Sequence, residues 1–269
     1  MARRYFAEII QNGKFSISDE YAKLYHIFFS SFENETLYYT CKDNFIRYSF
    51  RGTCLSIDEF NLKFGFDFLI RGVNGKETID DLVNFIEYSY NLLSIFSESE
   101  YGFGRVVRLY REHISIIESE ISYMHRLDEK SKTYIFVPIS ESAIAVSEII
   151  DPELATKVIF YNHRSMKGDL ARKRDTLLKL ADKLEPQRSV LRGINHQLEI
   201  DVFTLLNNIN IRHNNNDPDG AYYKSYVAGW DEPTQEEWYD ETYQLLLLCF
   251  LEIDNIERKK KVQDLKDNL

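Results

Sequence analysis

Glycine and proline are scarce in this chain, at 11 and 5 of its 269 residues. That scarcity removes the turn-forming material of a many-stranded β architecture and favours long helices. Cysteine is scarcer still, and Cys41, Cys54 and Cys249 form no CxxC pair. Cys249 lies inside the apolar run Leu245 to Leu251, where a buried structural thiol is expected, and the set fits a reducing, cytoplasmic setting. That run is the longest unbroken apolar stretch, far below the ~20 residues that cross a bilayer, so no membrane partner is expected. The N-terminus begins like a signal peptide, but Glu8 and Gln11-Asn12-Gly13-Lys14 cut its apolar stretch short, which argues against secretion. Internal repeats and low-complexity segments are absent.

Positive charge is also in deficit: 33 Lys and Arg face 43 Asp and Glu, a net charge of −10. Most of the surface therefore repels nucleic acid and anionic membranes, and any RNA site must be local. What the chain has in quantity is aromatic side chain, 18 Tyr and 18 Phe. Its length suffices for one large domain or two small ones.

The patterning predicts a mainly α fold, an antiparallel helical bundle with an additional N-terminal helical region and little β structure. Residues 3–17 suit a short strand or hairpin around Asn12-Gly13, and Ser18-Asp19-Glu20 opens a helix running to about Phe32. Glycines at 52, 65, 72 and 75 break the stretch 35–75 into short helices and loops. Thr78-Ile79-Asp80-Asp81 caps a helix over 78–96, and a second helix is expected from Gly104 to Leu127 on the stripe Val106, Tyr110, His113, Ile117, Ile121 and Met124. Residues Thr133 to Ile139 suit an edge strand or linker, giving regions 1–132 and 133–269. Beyond it, Asp151-Pro152-Glu153 opens a helix to Leu184, a second spans 187 to about 212, and Thr234-Gln235-Glu236-Glu237 caps the last. On that helix Leu247 and Leu251 widen the apolar face, which implies burial on two sides, in the bundle centre or across a dimer interface.

Where the helix ending near 212 stops, the chain reads Ile211-Arg212-His213-Asn214-Asn215-Asn216-Asp217-Pro218. At 100° per residue Arg212 projects to within about 20° of Leu205, so an arginine completes an apolar stripe. A guanidinium there needs a carboxylate, carbonyl groups, a helix C-terminus or a phosphate. In the plainer reading Arg212 caps the carbonyls of its own helix and the amides form the following turn. In the functional one, histidine moves the 2′-hydroxyl proton of RNA while arginine holds the pentavalent phosphate.

This corner resembles the active-site corner of HEPN domains, helical bundles that often cut RNA without a metal. The match covers residues 150–262 and assigns Arg212 to the family arginine; His213 falls in the polar slot after it. The family histidine would fall at 217 to 219, where this chain has Asp217, Pro218 and Asp219. His213 is the substitute acid/base, with Asn214 and Asn216 as orienting groups. A rival is Arg192-Gly193-Ile194-Asn195-His196, whose arginine and histidine lie four apart; its plainer reading is a solvated pair. Two further segments, residues 57–66 and 80–87, are similar to bacterial abortive-infection proteins that carry HEPN modules, which suggests a phage-defence or toxin setting.

His163 to Arg174 holds five basic residues, Arg164, Lys167, Arg172, Lys173 and Arg174, against Asp169. It is the natural footprint for RNA, or else a charged face paired with Asp169, Asp175 and Asp182. Tyr222, Tyr223, Tyr226 and Trp230 precede the last helix and either stack on bases or pack on the bundle. His113 reads as a satisfied core histidine, and His125 lacks a third metal ligand, so neither a metal nor a cofactor is expected. The resemblance implies a metal-independent endoribonuclease, homodimeric through its last two helices. The alternative is a non-catalytic module that binds a partner protein, a nucleotide or RNA.

Overall fold

Helices dominate the chain, which the computed structural model describes over residues 15–30, 36–99 and 102–269. The strand or hairpin expected around Asn12-Gly13 lies outside these residues. The chain divides after Phe136 into two compact units.

In the first unit the helices are α1 (Ile17–Phe29), α2 (Leu37–Asp43), α3 (Ile57–Phe64), α4 (Phe68–Arg71), α5 (Ile79–Leu93) and α6 (Gly102–Ile121). Ser16, not Ser18, caps α1, its Oγ accepting the Asp19 N–H at 3.3 Å. Thr78 and Asp81 form the reciprocal capping box that the sequence announces for α5. Phe85 on α5 is the hub of the core, with Tyr21, Phe28 and Phe68 at ring separations of 5.3, 5.8 and 5.3 Å. Each such ring contributes roughly 1.5–3 kcal/mol through burial, and an aromatic pair roughly 0.5–1.5 more. His113 is not in the core: its Nε2 meets Glu20 at 2.8 Å, tying α6 to α1.

The helix expected to reach Leu127 stops at Ile121. Ser122 takes a left-handed backbone (φ 55°), and strands β1 (Tyr123–Asp128) and β2 (Thr133–Pro138) follow as a two-stranded sheet. The Asp128 carboxylate makes the turn by accepting the Lys130 and Ser131 N–H groups at 3.1 and 3.3 Å. Side chains of α5 stand where a third strand would lie. Asn91 donates to the Tyr134 carbonyl at 2.8 Å and accepts its N–H at 2.7 Å, while Glu87 accepts the Phe136 N–H at 3.0 Å. His125 fastens the other strand, with Nδ1 on Glu118 at 2.8 Å and Nε2 on the Tyr90 hydroxyl at 3.2 Å.

The second unit contains α7 (Glu141–Ser147), α8 (Pro152–Phe160), α9 (Leu170–Leu184), α10 (Arg188–Ile194), α11 (His196–Asn208), α12 (Ser225–Ala228) and α13 (Glu232–Asp267). Two helices read as continuous are each broken. Gly168 in the left-handed region (φ 76°) and Asp169, whose carboxylate accepts the Arg172 N–H at 2.9 Å, restart the chain at α9. Asn195 ends α10 and caps α11, accepting the Leu198 N–H at 3.1 Å. Asp231, with Pro233 in the first turn, opens α13 ahead of the expected Thr234. The α13 helix lies against α7, α9, α10 and α11. Tyr239, Tyr243, Leu246, Leu247, Cys249 and Phe250 are buried in that packing. Burial pushes the Cys249 thiol up to about 12, so it behaves as a small apolar group. Among the described residues no helix is long and apolar enough to cross a membrane.

Candidate functional site

The α11 helix ends at Asn208 because Asn210 takes the left-handed conformation (φ 64°) usually left to glycine. The Arg212 N–H returns to the Leu206 carbonyl at 2.9 Å, so Arg212 is outside the helix that the sequence extends to it. Asn215, fully buried, holds the turn. Its Oδ1 accepts the Asn210 N–H at 2.7 Å, and its Nδ2 donates to the carbonyls of Asn207 and Tyr222 at 3.2 and 2.8 Å. The flanking Asn214 and Asn216 are exposed. The sequence singled out those two and passed over the amide between them.

Arg212 finds its partners on another helix. Its Nη2 donates to Glu185 at 2.6 Å and reaches the Ala181 carbonyl at 3.5 Å, at the C-terminal end of α9, and its guanidinium lies 5.2 Å from the centre of the Phe203 ring. It therefore caps α9 rather than α11, complementing the negative end of that helix dipole. His213 turns elsewhere and stacks flat on Tyr222, with ring centres 3.9 Å apart.

The basic segment is divided in the same way. Lys173 is 5 % exposed and bound to Asp240 at 2.6 Å and Glu236 at 2.7 Å, so it serves the α9–α13 contact. Arg172 is exposed, bonded to Asp169 at 2.5 Å and to the Ser165 carbonyl at 2.7 Å. Arg174 donates to the Ile211 carbonyl at 2.8 Å, which brings the segment beside Arg212. Arg164 lies on the 3-10 turn before α9, partly exposed, and Lys167 is exposed just after it. Tyr222 and Tyr223 are 55 % and 40 % exposed, with one face of the Tyr222 ring on His213.

The rival motif proves to be the better-formed cleft. Glu199 on α11 is 1 % exposed, yet Arg188 reaches it at 2.6 Å, Arg192 at 3.0 Å and His196 Nδ1 at 3.6 Å. Hydrogen bonds from Arg192 and then Arg188 hold its carboxyl down at about 2, so it stays ionised. Arg188 also lies 4.1 Å from the centre of the Phe203 ring and 3.6 Å from Glu185. The two sequence motifs thus meet in one chain of contacts: Arg212, Glu185, Arg188, Glu199, then Arg192 and His196. Three guanidinium groups face two carboxylates there, leaving one positive charge before His196 is counted.

Arg192 and His196 keep 55 % and 65 % of their side chains exposed at the mouth of a cavity of about 250 Å³, which Asn207 and Asn208 also line. Such a cluster presents charged hydrogen-bond donors whose geometry suits an anion. Among the described residues no three His, Cys, Asp or Glu side chains gather as a metal site. Arg188 and Glu199 were missed because their contact crosses the break at Asn195, which helical spacing does not reveal. No known protein family, curated protein or solved structure matches the chain.

Proposed function

We propose that the unit from Val137 to Leu269 is a HEPN-like module that binds single-stranded RNA by its phosphates in the cleft between α10 and α11 and does not cut it. The observation that carries this reading is the convergence of Arg188, Arg192, His196 and Arg212 on Glu199 and Glu185 in a protein of net charge −10. The buried Glu199 carboxylate holds Arg188 and Arg192 in place, so less side-chain freedom is lost on binding. Asn215 ties the backbone of Tyr222 to that of Asn207, a residue of the cleft wall. What supports the reading without cleavage is the motif itself: Arg212 is committed to Glu185, His213 to Tyr222, and Asp217 to Asp219 fill the family histidine's place. A phage-defence or toxin setting belongs to the same proposal.

One observation favours metal-independent cleavage as the second reading. Arg192 and His196 share the Glu199 carboxylate and open on the same cavity, an arrangement in which histidine moves a proton while arginine holds the phosphate. Labelled single-stranded RNA incubated with the protein in EDTA separates the two. Retention of intact RNA, lost in Arg192→Ala and His196→Ala, supports the binding module. Cleavage abolished by those substitutions moves the site to the second reading, and cleavage sensitive only to Arg212→Ala and His213→Ala returns it to the Arg212 corner. Neither binding nor cleavage at high protein concentration removes both.

A further inference from the structure

Both tryptophans of the chain, Trp230 and Trp238, stand at the start of α13, and they stand together. Their rings lie 10° from parallel with centres 6.0 Å apart, and Tyr226 on α12 meets Trp230 almost at a right angle, 5.7 Å between centres. Tyr226 is 78 % exposed and Trp238 39 %, with Trp230 half-buried in contact with both. Contiguous rings left in water belong to interaction surfaces, where tryptophan and tyrosine are among the anchoring residues. The charge around them has one sign. From Asp217 to Glu257 the chain carries eleven carboxylates and one cation, Lys224. Asp231 is used as the cap of α13, accepting the Thr234 N–H at 2.9 Å, and Glu236 and Asp240 hold Lys173. Glu232, Glu237 and Glu241 are exposed and, among the described residues, pair with no cation. Glu237 and Glu241 are one turn apart, and Glu241 is a helical neighbour of Trp238.

We propose that this aromatic and acidic surface docks an arginine-rich segment of a partner protein. A guanidinium is the group that both halves of the surface accept: its flat face stacks on an indole, while its N–H fork reaches a carboxylate in two parallel bonds. An RNA base would also use the rings, but its phosphates would enter the field of the unpaired carboxylates, so nucleic acid is disfavoured here. A purely apolar partner would cover Glu232, Glu237 and Glu241 without pairing them, which costs their hydration. The surface shares no residue with the α10–α11 cleft, so the inference stands apart from the RNA reading.

Because the chain has no other tryptophan, its intrinsic fluorescence reports this surface directly. Titration of the full chain with a peptide of alternating arginine and glycine should shift the tryptophan emission saturably. The matching lysine peptide should bind about fivefold more weakly, since an ammonium cannot lie flat on a ring, and the matching glutamate peptide should not bind. Tyr226→Ala should weaken arginine binding by about fivefold. Glu237→Gln with Glu241→Gln should weaken it too and reduce its sensitivity to salt. All three side chains are exposed, so the circular dichroism of these variants should match that of the wild type. No saturable shift, equal binding of the arginine and lysine peptides, or a shift indifferent to these substitutions would overturn the proposal. So would a shift produced by single-stranded RNA and removed by Tyr226→Ala, which would make the rings a platform for bases.

Discussion

Arg212 closes on Glu185, 27 residues earlier in the chain, at 2.6 Å, and the contact joins the loop after α11 to the C-terminal end of α9. Its guanidinium also lies over the Phe203 ring. Arg212→Ala should destabilise the second unit by about 1–2 kcal/mol, because the pair is partly exposed and solvent weakens it. Arg212→Lys should recover only part of this, since an ammonium cannot lie over the ring while reaching both Glu185 and the helix carbonyl. Urea denaturation of the three proteins measures the difference.

Glu199 gives the unit an acid sensitivity of known sign. Its carboxyl is held at about 2 against the usual 4.5, so its contribution is present above pH 4.5 and lost as pH falls toward 2. Glu199→Gln should cost about 2 kcal/mol near neutrality, less than for a fully enclosed pair because Arg188 and Arg192 remain in contact with water. The gap between wild type and variant should then narrow between pH 4.5 and pH 2. A gap constant with pH would show that the ion pairs contribute nothing to stability.

Asn215 is fully buried with both ends of its amide bonded, so Asn215→Ala should cost roughly 2–4 kcal/mol. Asn215→Asp should be worse, since a carboxylate would face the carbonyls of Asn207 and Tyr222 where an N–H₂ now donates. Thermal unfolding of both variants ranks them.

Asn91→Ala removes the substitute strand from the edge of β2. The Tyr134 amide should then exchange its hydrogen faster, and stability should fall by about 1–3 kcal/mol. Hydrogen exchange resolved at that amide reads the effect directly.

RNA retained by the α10–α11 cleft should be released by salt. Each phosphate neutralised on a single strand contributes about −0.7 to the slope of log affinity against log salt, so two contacts give roughly −1.4. Arg192→Ala should flatten that slope by about one contact's worth.

The helix starts at Thr78 and at Asp151-Pro152 were legible because the cap and the apolar period agree there. The breaks at Gly168-Asp169 and Asn195 were not, since the apolar stripe resumes in phase on the far side and hides them. Met124 misled in the same way: it continues the stripe of α6, while the turn that makes 123–128 a strand depends on Ser122 adopting a positive φ. At the site, the sequence leaves the partner of Arg212 open among a carboxylate, carbonyl groups, a helix C-terminus and a phosphate. Arg212 ends an apolar stripe and must find an opposite charge, but which helix supplies Glu185 is decided by packing. Arg192 and His196 were visible as a pair, whereas Glu199 was lost among its apolar neighbours Leu198 and Val202.

Asn195 belongs to two helices at once, and this has a mechanical consequence. Separating α10 from α11 would break the Arg188 and Arg192 pairs with Glu199 together, so the one carboxylate acts as a clasp across the elbow at Asn195.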